Sequence, residues 1–269
     1  MPELPEVETI RRQLCAAGVE GCVIEKTSIL WPRTVEPLSP AAFRKQVAGR
    51  TIEKLSRHGK WLIFELDGEN NLLVHLRMTG GFYLSQGALK KGPYDRAVLQ
   101  LSGGLNLHFR DPRKFGRWRL AIAPEGLGPD LLTVTKKEFF QSLEKKNRGL
   151  KALLLDQSFV AGVGNIYADE ALFEARLHPE RRVSSLSTDE CNVLFKAVKR
   201  VIWAGVRNGG TSLGDGQGNY TDLNGNSGGH REKVKVYGRV GCPCVVCGDP
   251  LCKTTVAQRT TVFCTHCQK

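Results

Sequence analysis

The stretch Leu153–Glu170, LLLDQSFVAGVGNIYADE, carries apolar residues at helical spacing, breaks at Gly162 and Gly164, and resumes as a second helix opening at Asn165. A helix that opens on a glycine-bearing turn presents unsatisfied backbone N–H groups and the positive end of its dipole, a ready seat for phosphate. Its neighbours share the period: KKEFFQSLEKK (136–146) and GLKALLLDQ (149–157) on one side, TDECNVLFKAVKRVIWAGVRN (188–208) on the other. This part of the chain is helical.

Upstream of the breaker PEGLGPD (124–130) the pattern changes. Residues 22–123 read mainly as short strands, among them KWLIFEL (60–66), NLLVHLRM (71–78), AVLQL (97–101), LNLHFR (105–110) and RWRLAI (117–122), separated by turn pieces such as DGEN and SGG. Such repetition predicts a sandwich or barrel. Before it, Val7, Ile10 and Leu14 recur at helical spacing with Pro5 in the first turn, so a short N-terminal helix is expected. Residues 209–229 hold eight glycines in 21 positions and read as a mobile loop.

The last 28 residues hold six of the nine cysteines. Cys244/Cys247 and Cys264/Cys267 are C-x-x-C pairs with sixteen residues between them, the spacing of two knuckles closing on tetrahedral zinc. Cys242, Cys252 and His266 lie nearby without the two-residue gap and are taken as bystanders. Zinc here holds a piece too small to fold alone and takes no part in chemistry. Residues 231–269 carry seven Lys or Arg against two acidic residues, which suits a grip on phosphates.

The fold class that follows is α+β: an N-terminal helix plus β-sandwich over 1–130, a helical domain over 131–230 and a zinc ribbon over 231–269. Lys and Arg number 39 against 27 acidic residues, a formal +12 with pI near 9.4, which points to a polyanionic partner, nucleic acid before an acidic membrane surface. No apolar run approaches the ~20 residues of a membrane span, and Glu3, Glu6 and Glu8 stand where a signal peptide would be basic then apolar. A soluble, unexported protein is expected.

With PELPEVE at the N-terminus, GVGNIYADE in the helical part, and VYGR, CPCVVCG and QRTTVFCTHCQK in the ribbon, the chain resembles the bacterial formamidopyrimidine-DNA glycosylases from end to end. Leu4 separates it from the related endonuclease VIII type for oxidised pyrimidines, which usually has glycine there and lacks the Arg113/Phe115 pair. The resemblance implies a helix-two-turn-helix at 153–170. It also implies a bifunctional glycosylase and abasic-site lyase of base-excision repair, acting on ring-opened formamidopyrimidines and 8-oxoguanine by β,δ-elimination. A non-catalytic zinc-ribbon DNA-binding protein is the rival class; it accounts for charge and cysteines but not for the proline near the terminus. By itself, the acidic N-terminus also fits an ordinary helix start.

Residue by residue, the resemblance makes the amine of Pro2, exposed once Met1 is removed, the nucleophile on the sugar. An α-amino group with a pKa of roughly 8 is about a tenth free base at pH 7. Glu3 is the general acid/base, with Glu6 in support; Lys60 assists the first elimination and Arg259 the second, both near the lesion phosphates. Met78, Arg113 and Phe115 match the side chains that fill the gap left by an extruded nucleotide, Arg113 and Phe115 being expected in a hairpin tip. Tyr94, where relatives often have histidine, and Lys146, Lys151 and Asn165 are expected DNA contacts. His230 and Arg231 replace an aromatic residue and glutamine in the loop over the extruded base, so the resemblance does not rank 8-oxoguanine against ring-opened purines. The implied partner is damaged double-stranded DNA, the implied cofactor one structural zinc with no redox group, and the implied state a monomer in the bacterial cytoplasm, on the nucleoid when bound.

Overall fold

Pro5 in the first turn and the period of Leu4, Val7, Ile10 and Leu14 set the first helix, α1 (Leu4–Ala16), whose apolar stripe is fully buried. The computed structural model describes residues 2–144, 146–214 and 220–269. After α1 come β1 (Ile24–Ile29), α2 (Pro40–Val47), β2 (Ile52–His58), β3 (Trp61–Leu66), β4 (Asn71–His75), β5 (Gly81–Gln86), β6 (Asp95–Leu101), β7 (Leu105–Arg110) and β8 (Arg117–Ala121). The strands form two antiparallel four-stranded sheets, ordered β1-β6-β7-β5 and β2-β3-β4-β8. Phe64, Phe82, Phe109 and Trp118 meet between them, with ring centroids 5.3 Å (Phe82–Phe109) and 5.5 Å (Phe109–Trp118) apart. Each such side chain contributes about 1.5–3 kcal/mol on burial. The expected sandwich is present.

The details differ in places. Helix α2 interrupts the strand-rich stretch: Ser39 accepts from Ala42 N–H at 3.2 Å and Pro40 sits at the first helical position, a start signal that apolar alternation does not register. The strand expected to run through Met78 ends at His75, because Arg77 has φ +57, outside the extended region. The piece holding Arg113 and Phe115 is not a hairpin tip. β7 and β8 belong to different sheets, so residues 111–116 cross between them, as residues 76–80 do between β4 and β5.

The helices expected downstream appear as α3 (Lys136–Leu143), α4 (Leu150–Leu154), α5 (Asn165–Glu174) and α6 (Thr188–Arg207). Thr135 and Glu138 form a reciprocal capping box at the start of α3; Lys145, at its expected C-terminal end, lies outside the described residues. The ribbon is one hairpin, β9 (Cys252–Val256) and β10 (Arg259–Phe263), turning on Ala257 and Gln258, both at positive φ.

The chain folds as two compact units, 1–125 with 208–231 and 126–207 with 232–269. Residues 208–230, expected in the helical segment, and Arg231, expected in the ribbon, therefore belong to the same unit as the sandwich. Tyr220 and Leu223 are part of its core; Gln13 donates to Asp222 Oδ2 at 2.8 Å and accepts from Leu223 N–H at 2.9 Å. The described part of the glycine-rich stretch is thus held by packing and side-chain hydrogen bonds; residues 215–219 lie outside the described residues.

Candidate functional site

Pro2 and Glu3 are buried at the start of α1. Glu3 occupies the N-cap and shares a capping box with Glu6, whose Oε2 accepts from Glu3 N–H at 2.7 Å. Glu6 does a second job: its Oε1 accepts from Thr211 N–H at 2.7 Å, tying the helix start to the glycine-rich segment. Gly210 makes the approach feasible, since at φ +83 a Cβ there would stand 2.8 Å from Glu6 Cγ. An ordinary helix start therefore accounts for part of the acidic terminus, and the same bonds fix the backbone on either side of Glu3. Met1, on whose removal the amine depends, lies outside the described residues.

Lys60, expected as the first residue of a strand, is buried in the two-residue turn between β2 and β3, one position before β3. An ionic chain reaches this turn from α1. Glu8 Oε1 accepts from Arg11 Nη2 and Arg12 Nε, each at 2.8 Å; its Oε2 accepts from Arg57 Nε at 3.2 Å; and Arg57 Nη1 donates to Gly59 O at 2.8 Å. Burial pushes the Glu8 carboxyl up, but hydrogen bonds from Arg11 and Arg12 and the charges of Arg11 and Arg57 outweigh it and hold the group at about 2. A carboxyl lowered on folding adds stability that is fully present above its unfolded value, near 4.5, and is lost as pH falls toward 2. Glu8→Gln is accordingly expected to cost about 1–2 kcal/mol at pH 7 after allowance for solvent screening. Urea unfolding of both proteins should show the gap closing between pH 4.5 and pH 2; a gap independent of pH would contradict this assignment.

His75, which carries no motif signal in the sequence, is close enough to Lys60 to feel its charge. Burial, then Arg77 and Lys60, holds its ring neutral with a pKa of about 3. Its Nδ1 accepts from Arg77 N–H at 3.0 Å and its ring meets Trp61 edge-on at 4.9 Å. A neutral imidazole beside a lysine offers a hydrogen-bonding group without adding to the local positive charge.

Met78 lies in the 76–80 crossover and Arg113 and Phe115 in the 111–116 crossover. The loops are joined by the buried carboxylate of Asp111, also unforeseen. It accepts from Thr79 Oγ1 in a short hydrogen bond, from Arg113 N–H at 3.2 Å and from Gly116 N–H at 2.7 Å. The fold beneath is tight, because a Cβ on Gly116 would come 2.3 Å from Phe109 Cζ. Phe115 is 45% exposed, with the Arg113 guanidinium 4.8 Å from its ring centroid. A large apolar side chain held out by a rigid base is a wedge suited to a base step. Tyr94 lies at the foot of the same loop: its carbonyl accepts from Asp111 N–H at 2.9 Å and its ring stacks with Arg110 at 5.5 Å.

In the second unit Gly164 is the N-cap of α5. Asn165 is the first helical residue and donates from Nδ2 to Thr260 O at 3.1 Å, while Lys146 is half-exposed between α3 and α4. Lys151 departs from its expected role. Its side chain is fully buried, with Nζ 2.7 Å from Asp169 Oδ1, 2.7 Å from Thr261 Oγ1 and 3.1 Å from Thr260 O. An ammonium so enclosed has no surface for a phosphate. It fastens β10 instead, and Asp169 Oδ2 adds a hydrogen bond from Val262 N–H at 3.1 Å. The neighbouring Glu170 accepts from the N–H groups of Lys235, Val236 and Tyr237 at 2.8–2.9 Å. Consecutive carboxylates of α5 thus hold two stretches of the ribbon, and Arg259 stands exposed at the head of β10.

Cys244, Cys247, Cys264 and Cys267 bring their four Sγ atoms within 4.8 Å of one another, and Cys242, Cys252 and His266 are not in the group. The separations Cys244–Cys267 and Cys247–Cys264 are 3.9 and 3.5 Å. A tetrahedral metal at a sulfur distance of about 2.3 Å requires an S–S edge of about 3.8 Å, so the four cysteines are positioned to bind one metal ion. No helix among the described residues is long and apolar enough to cross a membrane.

Two family models match the chain, the formamidopyrimidine-DNA glycosylase N-terminal domain over residues 1–118 and the formamidopyrimidine-DNA glycosylase H2TH domain over residues 123–216. The chain belongs to the formamidopyrimidine-DNA glycosylase family. The glycosylase of that name from Protochlamydia amoebophila is 42% identical over the full length of both proteins. The MutM (Fpg) protein of Thermus thermophilus has 42% identity and a TM-score of 0.86, covering 99% of this chain and 98% of that one. Fpg of Lactococcus lactis, solved with N7-benzyl-Fapy-dG DNA and with abasic-site DNA, has 33% identity and a TM-score of 0.88 with complete coverage of both chains. As a family member, the chain is a base-excision-repair DNA glycosylase.

His230, for which the resemblance to the formamidopyrimidine-DNA glycosylases implies a place in the loop over the extruded base, has a structural role within its own unit. His230 is buried, its N–H donates to Gly210 O at 3.0 Å, and its Nδ1 lies 3.1 Å from Asn208 Nδ2. It braces the base of the segment that also holds Glu6. Arg231, beside it, is exposed.

Proposed function

We propose that this chain excises oxidised purines from duplex DNA and cleaves the resulting abasic site, with Pro2 as nucleophile. The observation that carries the reading is the start of α1. Pro2 is followed by a buried carboxylate at the N-cap, and Glu6 fixes the backbone there from two directions. Pro2, freed of Met1, attacks the sugar carbon and the base leaves; Glu3 protonates the opening ring and later takes the proton released on elimination. Lys60, with His75 beside it, and Arg259 attract the phosphates and assist the β and δ steps. Met78, Arg113 and Phe115 fill the gap in the stack, while Tyr94, Lys146, Asn165 and the N-terminal amides of α5 hold backbone phosphates. Lys151 is assigned to the fold beneath Arg259.

The four cysteines hold zinc, which fixes the ribbon without entering the reaction. We further infer three functional segments, 1–130 for chemistry, 131–230 for phosphate docking and lesion enclosure, and 231–269 for the ribbon. The protein acts as a monomer in the bacterial cytoplasm, on the nucleoid when bound. Duplexes carrying a formamidopyrimidine, 8-oxoguanine or an oxidised pyrimidine test the substrate class. Single-turnover excision should favour the purine lesions; faster release of the pyrimidine would assign the endonuclease VIII activity instead.

A further inference from the structure

Arg77 is exposed and held at φ +57, a conformation that glycine or asparagine adopts more readily than a long side chain. Arg117 and Arg119 stand two residues apart on β8, opposite His75 and Leu73 of β4, and so share one face of their sheet. Its other face, with Leu72, Val74 and Trp118, is buried in the core. Arg117 Nη1 donates to the carbonyls of Lys114 at 3.2 Å and Gly116 at 2.8 Å, which orients the guanidinium without neutralising it. Among the described residues no carboxylate forms an ion pair with Arg77, Arg117 or Arg119. After burial, the charges of Arg117 and Arg119 are what draw the Arg77 guanidinium below the usual arginine range, so the three are near enough to repel.

A single arginine on a surface needs no explanation. Three in mutual repulsion without a counter-charge, one of them on strained backbone, lower the stability of the isolated fold, and strain that persists is a mark of function. Their place says which function: Arg77 precedes Met78, Arg117 follows the loop of Arg113 and Phe115, and both flank His75, itself beside Lys60. We propose that Arg77, Arg117 and Arg119 form an additional phosphate seat that receives the DNA backbone next to the two crossover loops. This rests on the reading of the chain as a DNA glycosylase and adds to it a binding determinant outside the reacting residues.

The test compares the full-length metal-bound protein with Arg77→Gly, Arg77→Asn and the double variant Arg117→Gln/Arg119→Gln, on a lesion duplex titrated across salt concentrations. Removing one arginine–phosphate interaction should reduce the slope of log K against log salt by about 1, so the expected drop is about 1 for either Arg77 variant and about 1–2 for the double variant. Both Arg77 variants should also melt at a higher temperature, since their residues suit φ +57. Excision at saturating DNA should stay within about threefold, the change that ~0.65 kcal/mol would bring. Higher stability with weaker, less salt-sensitive binding is a combination that a purely structural arginine does not give. Unchanged salt slopes in variants that remain folded overturn the seat. If the double variant does not fold, the Arg77 pair decides alone. Failure of the unaltered protein to excise any lesion would instead overturn the underlying functional reading.

Discussion

Glu3→Gln is expected to slow base release by about 10²–10⁴-fold, the range that a positioned acid/base group contributes. DNA affinity should barely move. Glu3 is buried at the N-cap of α1, directly after Pro2, where a carboxylate can shuttle a proton but a carboxamide cannot. Gln retains an oxygen for the capping box, and the bond from Glu3 N–H to Glu6 is made by backbone and survives, so the loss in stability should stay near or below about 1 kcal/mol. Single-turnover excision, set beside binding and unfolding, separates the cases. A rate within a few-fold of the original would remove Glu3 from the chemistry and leave only the cap.

Loss of the metal should have the second large effect. The apolar cluster under the ribbon consists of Phe173, Val236, Leu251 and Val262 with the buried cysteines Cys244 and Cys264, too little to order the piece by itself. Structural zinc contributes on the order of 10 kcal/mol to comparable sites. Chelation, or Cys264→Ser, is expected to free the β9–β10 hairpin and with it Arg259. Binding should weaken and its salt slope fall by roughly 1 for every phosphate no longer held. A thiol reagent should release one equivalent of zinc as the four clustered thiols react, after the exposed Cys242 and Cys252 have been modified. Full DNA affinity in metal-free protein would contradict the assignment of the ribbon as a grip.

Where the governing pattern is local, the sequence was a good guide. The C-x-x-C pairs, the period of Val7, Ile10 and Leu14, and the break at Gly162–Gly164 each lie within a few turns of chain, and each appears in the structure. Strand β1 was harder to see because a register shift between Ile24 and Lys26 breaks its alternation. Lys151 shows the limit most clearly. A lysine between apolar residues reads as a surface charge until Asp169, eighteen positions on, turns out to face it in the interior. Asp111 was legible only in part: Asp-Pro before a short loop signals a turn, but its bond to Thr79, across 32 positions, is a product of two loops crossing between sheets at the same place. His75 gave no signal of its own, since its importance comes from the neighbouring Lys60.

The measurement that bears most directly on the account is mass spectrometry of protein mixed with a lesion duplex, with and without borohydride, followed by peptide mapping of the product. A covalent sugar adduct at Pro2, formed only with reductant and only by chains that have shed Met1, is the result expected. An adduct on a lysine, or efficient strand cleavage by protein whose Pro2 nitrogen remains in an amide, would contradict it.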